Sequence, residues 1–190
     1  VATVCSSEPP VGGWLSGSRI RQAVILGEIV ISPFDEAALN PNSYNYSLGS
    51  AVLRLVSEEI DLLGGEEYEV LEIPDDGLVL YPGECYLGHT REVFGSRIYA
   101  SLITGRSSVG RKFVTNHITA GLIDVGFEGQ LTLEITVQRR TRIYAGMPFG
   151  QIYWFSLYGL PEPLYDGRYQ RQAGPTPSKL VADLDGGPPC

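Results

Sequence analysis

Ten residues, GQLTLEITVQ at 129–138, alternate without a break. Leu131, Leu133, Ile135 and Val137 point one way; Thr132, Glu134, Thr136 and Gln138 point the other. A period of two specifies a strand with one buried face and leaves a helix no continuous apolar side. The same short format recurs along the chain in YNYSL, AVLRLV, YEVLEI, GLVLY, CYLGH, RIYASLI and FGQIYWFSL. Turn signals separate these runs at spacings of roughly ten residues, as in sandwiches and barrels. With 23 Gly and 13 Pro as punctuation and 11 Tyr among the strand formers, the chain is expected to be mostly β, a distorted barrel or jelly-roll-like fold.

One helix interrupts this pattern near the start. Ser18 suits an N-cap, Ile20, Ala23 and Val24 form an apolar stripe, and Gly27 stands where a helix stops. IVISPF then reads as a strand broken by Pro33. Residues 1–14 read as a flexible lead-in, residues 15–160 as one β domain, and residues 161–190 as an arm. That arm is rich in Pro, Gly, Arg and Gln, with little to pack, and is expected either to be disordered or to close over something. A chain of 190 residues can bury a single core without disulfide support.

Charge and cysteine usage narrow the partners. A net charge of −8 argues against a nucleic-acid polymer, yet a small polyanion needs only a local cluster of cations. No apolar run approaches the roughly 20 residues that span a bilayer, and VATVCSSEPPVGG lacks the features of a secretory signal. Cys5, Cys85 and Cys190 make a poor disulfide framework, which favours a reducing, cytoplasmic setting. They lack the spacing of a structural zinc site.

The segment before the alternating strand carries the chemistry. In GRSSVGR (105–111), the hydroxyls of Ser107 and Ser108 and the N–H groups around Val109 and Gly110 can grip phosphate oxygens. Arg106 adds charge-assisted bonds, and Arg111 reaches the same locus if the segment is helical. Taken alone, these residues also suit a capped turn. VGFEG (125–129) reads as the turn of a hairpin that sets Glu134 opposite roughly Ala120 and Gly121, with Asp124 nearer the turn. A carboxylate facing small residues leaves room for a ligand or a water.

GRSSVGR followed by HITAGLIDVGFEGQLTLE resembles the dCTP deaminases of the trimeric dUTPase superfamily. LSGSRIRQAVILGEIVISPF, NPNSYNYSLG, YAGMPFGQIYWF and RYQRQAGPTPSK extend the resemblance from about Leu15 to Lys179. It implies a dUTPase-type fold, a homotrimer with sites between subunits, and hydrolytic removal of ammonia from C4 of cytosine in dCTP. In that family Glu134 matches the catalytic glutamate. Ser107 and the carbonyl of Ala120 match the groups that hold the attacking water, and Arg111 the group that stabilises developing charge. Asp124 matches the aspartate beside the sugar 3′-hydroxyl, and Thr132, Leu133 and Glu134 the strand that reads the cytosine edge. Arg106, Ser108, Val109 and Gly110 belong to the phosphate loop, and Gln151 matches a glutamine of some members. Tyr165, Arg168 and Gln172 match an arm that closes over the triphosphate from a neighbouring subunit.

The resemblance also implies Mg²⁺ carried by the triphosphate, dTTP as a possible inhibitor, and no zinc. Zinc-dependent cytidine deaminases carry H-x-E with P-C-x-x-C, and neither His89 nor His117 begins such a motif. Two rivals stay close. A dUTPase shares Asp124, and a bifunctional enzyme that forms dUMP and pyrophosphate uses both Asp124 and Glu134. A binding or tailoring homologue is a third reading, because Asn45 replaces the family's usual aspartate and Arg168 a frequent lysine.

Overall fold

The computed structural model describes residues 13–159 and 162–180. The chain opens with helix α1 (Gly17–Ile25), capped by Ser16, whose Oγ accepts from Arg19 N at 3.3 Å. The expected cap, Ser18, lies inside the first turn, its Oγ 3.0 Å from that of Ser16. Gly27 ends the helix at φ +71°, a left-handed conformation that glycine adopts at no steric cost. Residues 1–12 of the expected lead-in lie outside the described residues, and its last two are held. Gly13 O accepts from Ser156 N, and Trp14 stacks on Tyr153 with ring centroids 4.2 Å apart.

Among the described residues twelve strands follow: β1 (Ile29–Ser32), β2 (Tyr44–Ser47), β3 (Ala51–Leu55), β4 (Tyr68–Glu72), β5 (Leu78–Leu80), β6 (Tyr86–Ser96), β7 (Tyr99–Gly105), β8 (Val114–Thr115), β9 (Leu122–Ile123), β10 (Glu128–Val137), β11 (Thr141–Ile143) and β12 (Pro148–Ser156). A short helix, α2 (Ser107–Gly110), separates β7 from β8. One sheet runs β4-β3-β6-β10-β8 with β1 also on β6, a second runs β2-β12-β7-β9, and β11 pairs β5. The architecture is mostly β as expected, but the strands form open sheets rather than one closed barrel.

The apolar face of β10 explains the packing. Leu133 and Ile135 are fully buried, and Leu131 and Val137 nearly so; each such side chain contributes about 1.5–3 kcal/mol. Tyr44, Ile103, Ile152 and Trp154 of the second sheet share their core. Phe94 of β6 meets both Tyr44 and Trp154 at centroid distances of 6.2 Å, so the sheets are joined by aromatic contacts.

The expected hairpin does not form. β9 pairs β7 through Ser101↔Ile123 and Leu102↔Leu122, whereas Glu134 of β10 stands opposite Leu87 of β6. The turn between β9 and β10 carries the chain from one sheet to the other. Gly126 has φ +107° and donates its N–H to Ser96 O at 2.7 Å. A Cβ there would come within 2.7 Å of Tyr165 N. Glycine is therefore required both for the turn and for the close approach of the arm.

Candidate active site

The strand period that buries Leu133 turns Thr132 and Glu134 to the opposite face of β10. They line an open cavity of about 580 Å³, together with Ala120, Asp124 and Phe127 and with Tyr165, Tyr169 and Gln172 of the arm. Glu134 is half-buried and Asp124 exposed. Glu134 Oε2 accepts from Ile118 N at 2.7 Å, so the carboxylate does face the 116–121 segment, though through a loop rather than a paired strand. A bulge in β10 between Gln130 and Thr132 frees Leu131 N, which Thr90 Oγ1 accepts at 2.9 Å. A side chain thus replaces the missing ladder bond.

The described part of the arm runs along β10 of its own chain. Arg171 N donates to Glu128 O, Gln130 N to Gln172 O, and Gln172 Nε2 to Gln130 O. Thr176 N meets Thr132 Oγ1 at 3.3 Å beside the cavity. Tyr165 donates its N–H to Val125 O and tilts its ring over Phe127 at 5.9 Å.

Several expected residues lie apart from this cavity. Ser107, Ser108 and Gly110 are exposed on α2 together with Arg111 at its end, Arg106 caps the helix start, and Val109 turns into the core. Leu133 buries its side chain in the core and is not among the residues lining the cavity. Gln151 donates to Ser43 Oγ at 3.2 Å and Asn45 Oδ1 at 3.3 Å; Asn45 thereby keeps a structural hydrogen bond. Arg168 donates to Lys179 O, and Lys179 returns a bond to Arg168 O. The cavity lining contains Asp124 and Glu134 but no Lys or Arg among the described residues.

Two buried groups brace the region. Burial pushes the Tyr46 phenol well above the usual tyrosine range, offset in part by the Asn116 bond and reinforced by the Glu134 charge, so the hydroxyl stays neutral. Burial lowers His89 below the ordinary histidine value, against the pull of its 2.9 Å contact with Thr90 O. Among the described residues no group of three His, Cys, Asp or Glu side chains is placed to hold a metal ion. No helix there is long and apolar enough to cross a membrane. Sequence reasoning missed Phe127, Leu122 and Tyr169 on the cavity wall; the aromatic residue beside a glycine turn was the one available sign, in GFEG.

A family model described as dCTP deaminase-like matches residues 14–157. The chain belongs to the dCTP deaminase-like family. Within that family it is 39% identical over 171 residues to a protein of Clostridium beijerinckii named dCTP deaminase, dUMP-forming, covering 90% of this chain and 98% of that one. A protein of the same name from Clostridium acetobutylicum is 42% identical over 171 residues, with the same coverage. Among solved structures, the 2′-deoxycytidine 5′-triphosphate deaminase of Agrobacterium tumefaciens superposes with a TM-score of 0.63 at 20% identity, over 77% of this chain. The chain spans about half the length of that protein, 49%, and the likeness is one of fold.

Proposed function

We propose that this dCTP deaminase-like protein hydrolyses dCTP at C4 of the cytosine and carries the product on to dUMP, acting on a cytoplasmic nucleotide pool. The observation that carries the reading is the pair of carboxylates, Glu134 from one sheet and Asp124 from the end of the other, on one cavity. The names of the relatives at about 40% identity, dCTP deaminase, dUMP-forming, support it. A dUTP-only diphosphatase would use Asp124 and leave Glu134 without a task.

In the proposed deamination, Glu134 takes a proton from water as the hydroxide adds to C4. It passes that proton to N3, then takes the proton of the C4 hydroxyl and gives it to the leaving nitrogen as the C4–N bond breaks and C4=O forms, so dCTP and water give dUTP and ammonia. Oε2 is held by Ile118 N, while Oε1 takes no protein partner among the described residues and is left for the proton. The carbonyl of Ala120 is the cavity's acceptor for the water, and Thr132 and the backbone of Leu133 flank the base. In the second half-reaction Asp124 orients a water at the α-phosphorus, giving dUMP and pyrophosphate.

A triphosphate needs countercharge, and this cavity supplies only carboxylates. We infer that Arg106, Ser107, Ser108 and Arg111 come from the α2 segment of a neighbouring copy in a homotrimer, with Ser107 completing the water site and Arg111 facing the developing charge. Val109 and Gly110 add backbone N–H groups. Mg²⁺ carried on phosphate oxygens needs few protein carboxylates; Asp124 is the exposed one here, and the ion when bound neutralises phosphate charge. Tyr165 and Gln172 close the nucleoside end, while Gln151 and Arg168 act from outside the cavity, bracing the second sheet and the arm.

The test is product analysis. Chromatography after incubation with dCTP, CTP, dCMP and dUTP should give dUMP, pyrophosphate and ammonia from dCTP. Turnover of none of the four would favour a nucleotide-binding or tailoring protein; dUTP as the sole end product would remove the second half-reaction.

A further inference from the structure

Two glycines face each other across the second sheet. Gly150 of β12 is in register with Gly105 of β7, and glycine in a strand interior weakens it unless another group must come close. Here the close group is the Asn116 side chain. A Cβ on Gly150 would stand 2.1 Å from Tyr46 Oη and 2.5 Å from Asn116 Nδ2, and one on Gly105 would stand 3.4 Å from Asn116 Oδ1. The paired glycines form a slot, and a tyrosine hydroxyl and an asparagine amide fill it.

The slot is dry and its bonds are made. Tyr46 is 0% exposed and Asn116 4%. Asn116 Nδ2 donates to Tyr46 Oη at 2.5 Å and to Thr104 O at 3.1 Å, and Tyr46 Oη donates to the same carbonyl at 3.4 Å. Asn116 begins the irregular stretch between β8 and β9, two residues before Ile118, whose N–H holds Glu134 Oε2. At the other end Gly121 O accepts from Ile103 N at 2.9 Å. Between these anchors run His117, Ile118, Thr119 and Ala120, the last on the cavity wall.

We propose that Asn116 is a positioning residue for the reaction: seated on the Gly105–Gly150 slot and bonded to Tyr46, it fixes the loop whose Ile118 N–H aims the Glu134 carboxylate. The inference rests on Glu134 being the proton shuttle proposed above. A buried amide suits this task because its two partners lie on different strands, β2 and β7, and losing it takes a donor from each, leaving only the long 3.4 Å bond between them. The slot tells the loop where to sit, and the loop tells the carboxylate where to point.

Asn116→Ala should lower kcat by about 10- to 100-fold, the scale of a misplaced reacting group, with KM for dCTP changed by no more than about twofold. Tyr46→Phe keeps the ring and the Thr104 bond of Asn116, and should show a smaller loss with the same split; it also serves if Asn116→Ala does not fold. The second readout is the Ile118 amide by NMR. Its resonance should shift and its hydrogen exchange quicken in Asn116→Ala, and it should also shift in Glu134→Gln. Unchanged kcat in an active enzyme, or an Ile118 amide that Asn116→Ala leaves untouched, overturns the proposal. If no deoxynucleotide is turned over while Ile118 responds to both substitutions, the positioning contact stands and the assigned chemistry falls.

Discussion

Ile118 N donates to Glu134 Oε2 at 2.7 Å across a gap of 16 residues, tying an irregular loop to the centre of the most regular strand. The bond leaves the second carboxylate oxygen to the cavity. Glu134→Gln keeps an acceptor for Ile118 but cannot take a proton. Ammonia release should fall by at least about 10²- to 10⁴-fold, the usual share of general acid–base catalysis, while calorimetry finds dCTP binding largely intact. Ammonia released at the wild-type rate would remove Glu134 from the mechanism.

Arg106→Ala should weaken dCTP binding more than deoxycytidine binding, by about 10-fold or more, the worth of a hydrogen bond to a charged group. Equal losses for the two ligands would contradict a phosphate role.

The cavity and α2 lie apart within one chain, and this makes a mixing experiment decisive. Arg111→Ala and Glu134→Gln proteins are each expected to be inactive alone. After subunit exchange, some sites combine an intact α2 with an intact Glu134, and deamination should reappear. No recovery despite proven exchange would mean that each chain works with its own α2.

Truncation after Pro163 strips the bonds that Gln172 makes to Gln130 and the one between Thr176 N and Thr132 Oγ1. From the core it takes Tyr165 and Tyr169, partly buried residues packed against it, and leaves the fully buried side chains of the two sheets in place. We expect kcat/KM to fall far more than the midpoint of urea unfolding, and normal turnover by the shortened chain would show that the arm is no lid.

His89 gives the pH dependence a sign. Burial lowers its proton affinity in the folded state below the ordinary value of 6.5, so the unfolded chain binds the extra proton first. Stability should therefore decline as pH falls below 6.5 and level off once the folded ring also protonates. Urea midpoints on both sides of pH 6.5, compared between the parent and His89→Gln, isolate this contribution. An NMR titration that finds His89 at or above the ordinary value would refute it.

Much of the fold was legible because its signals are local. The strand runs, the α1 stripe, the Gly27 stop and the buried face of β10 each follow from spacing within one segment. The sheets those strands would join were not legible. Leu122-Ile123 and Glu128–Val137 looked like two arms of one hairpin, yet they pair with β7 and β6 instead, partners that no local signal announces. Ser18 was the expected cap, but the helix starts earlier than that reading implies and Ser16 holds the N–H of Arg19. For the site, Glu134, Asp124 and Ala120 were nameable from the motif and do meet at the cavity. The Asn116–Tyr46 pair was invisible, because its partners are 70 residues apart and joined only by packing.

The crossing at Gly126 has a mechanical corollary. Asp124 rides on the tail of β9 and Glu134 on β10, so the gap between the two acids is a dimension of the whole sandwich rather than of any one loop. Remodelling the tilted aromatic contact of Phe94 and Trp154 alters that dimension without touching a ligand. On the proposed chemistry, interior substitutions there should change the proportion of nucleotide released early as dUTP, making product ratio a gauge of how the two halves sit together.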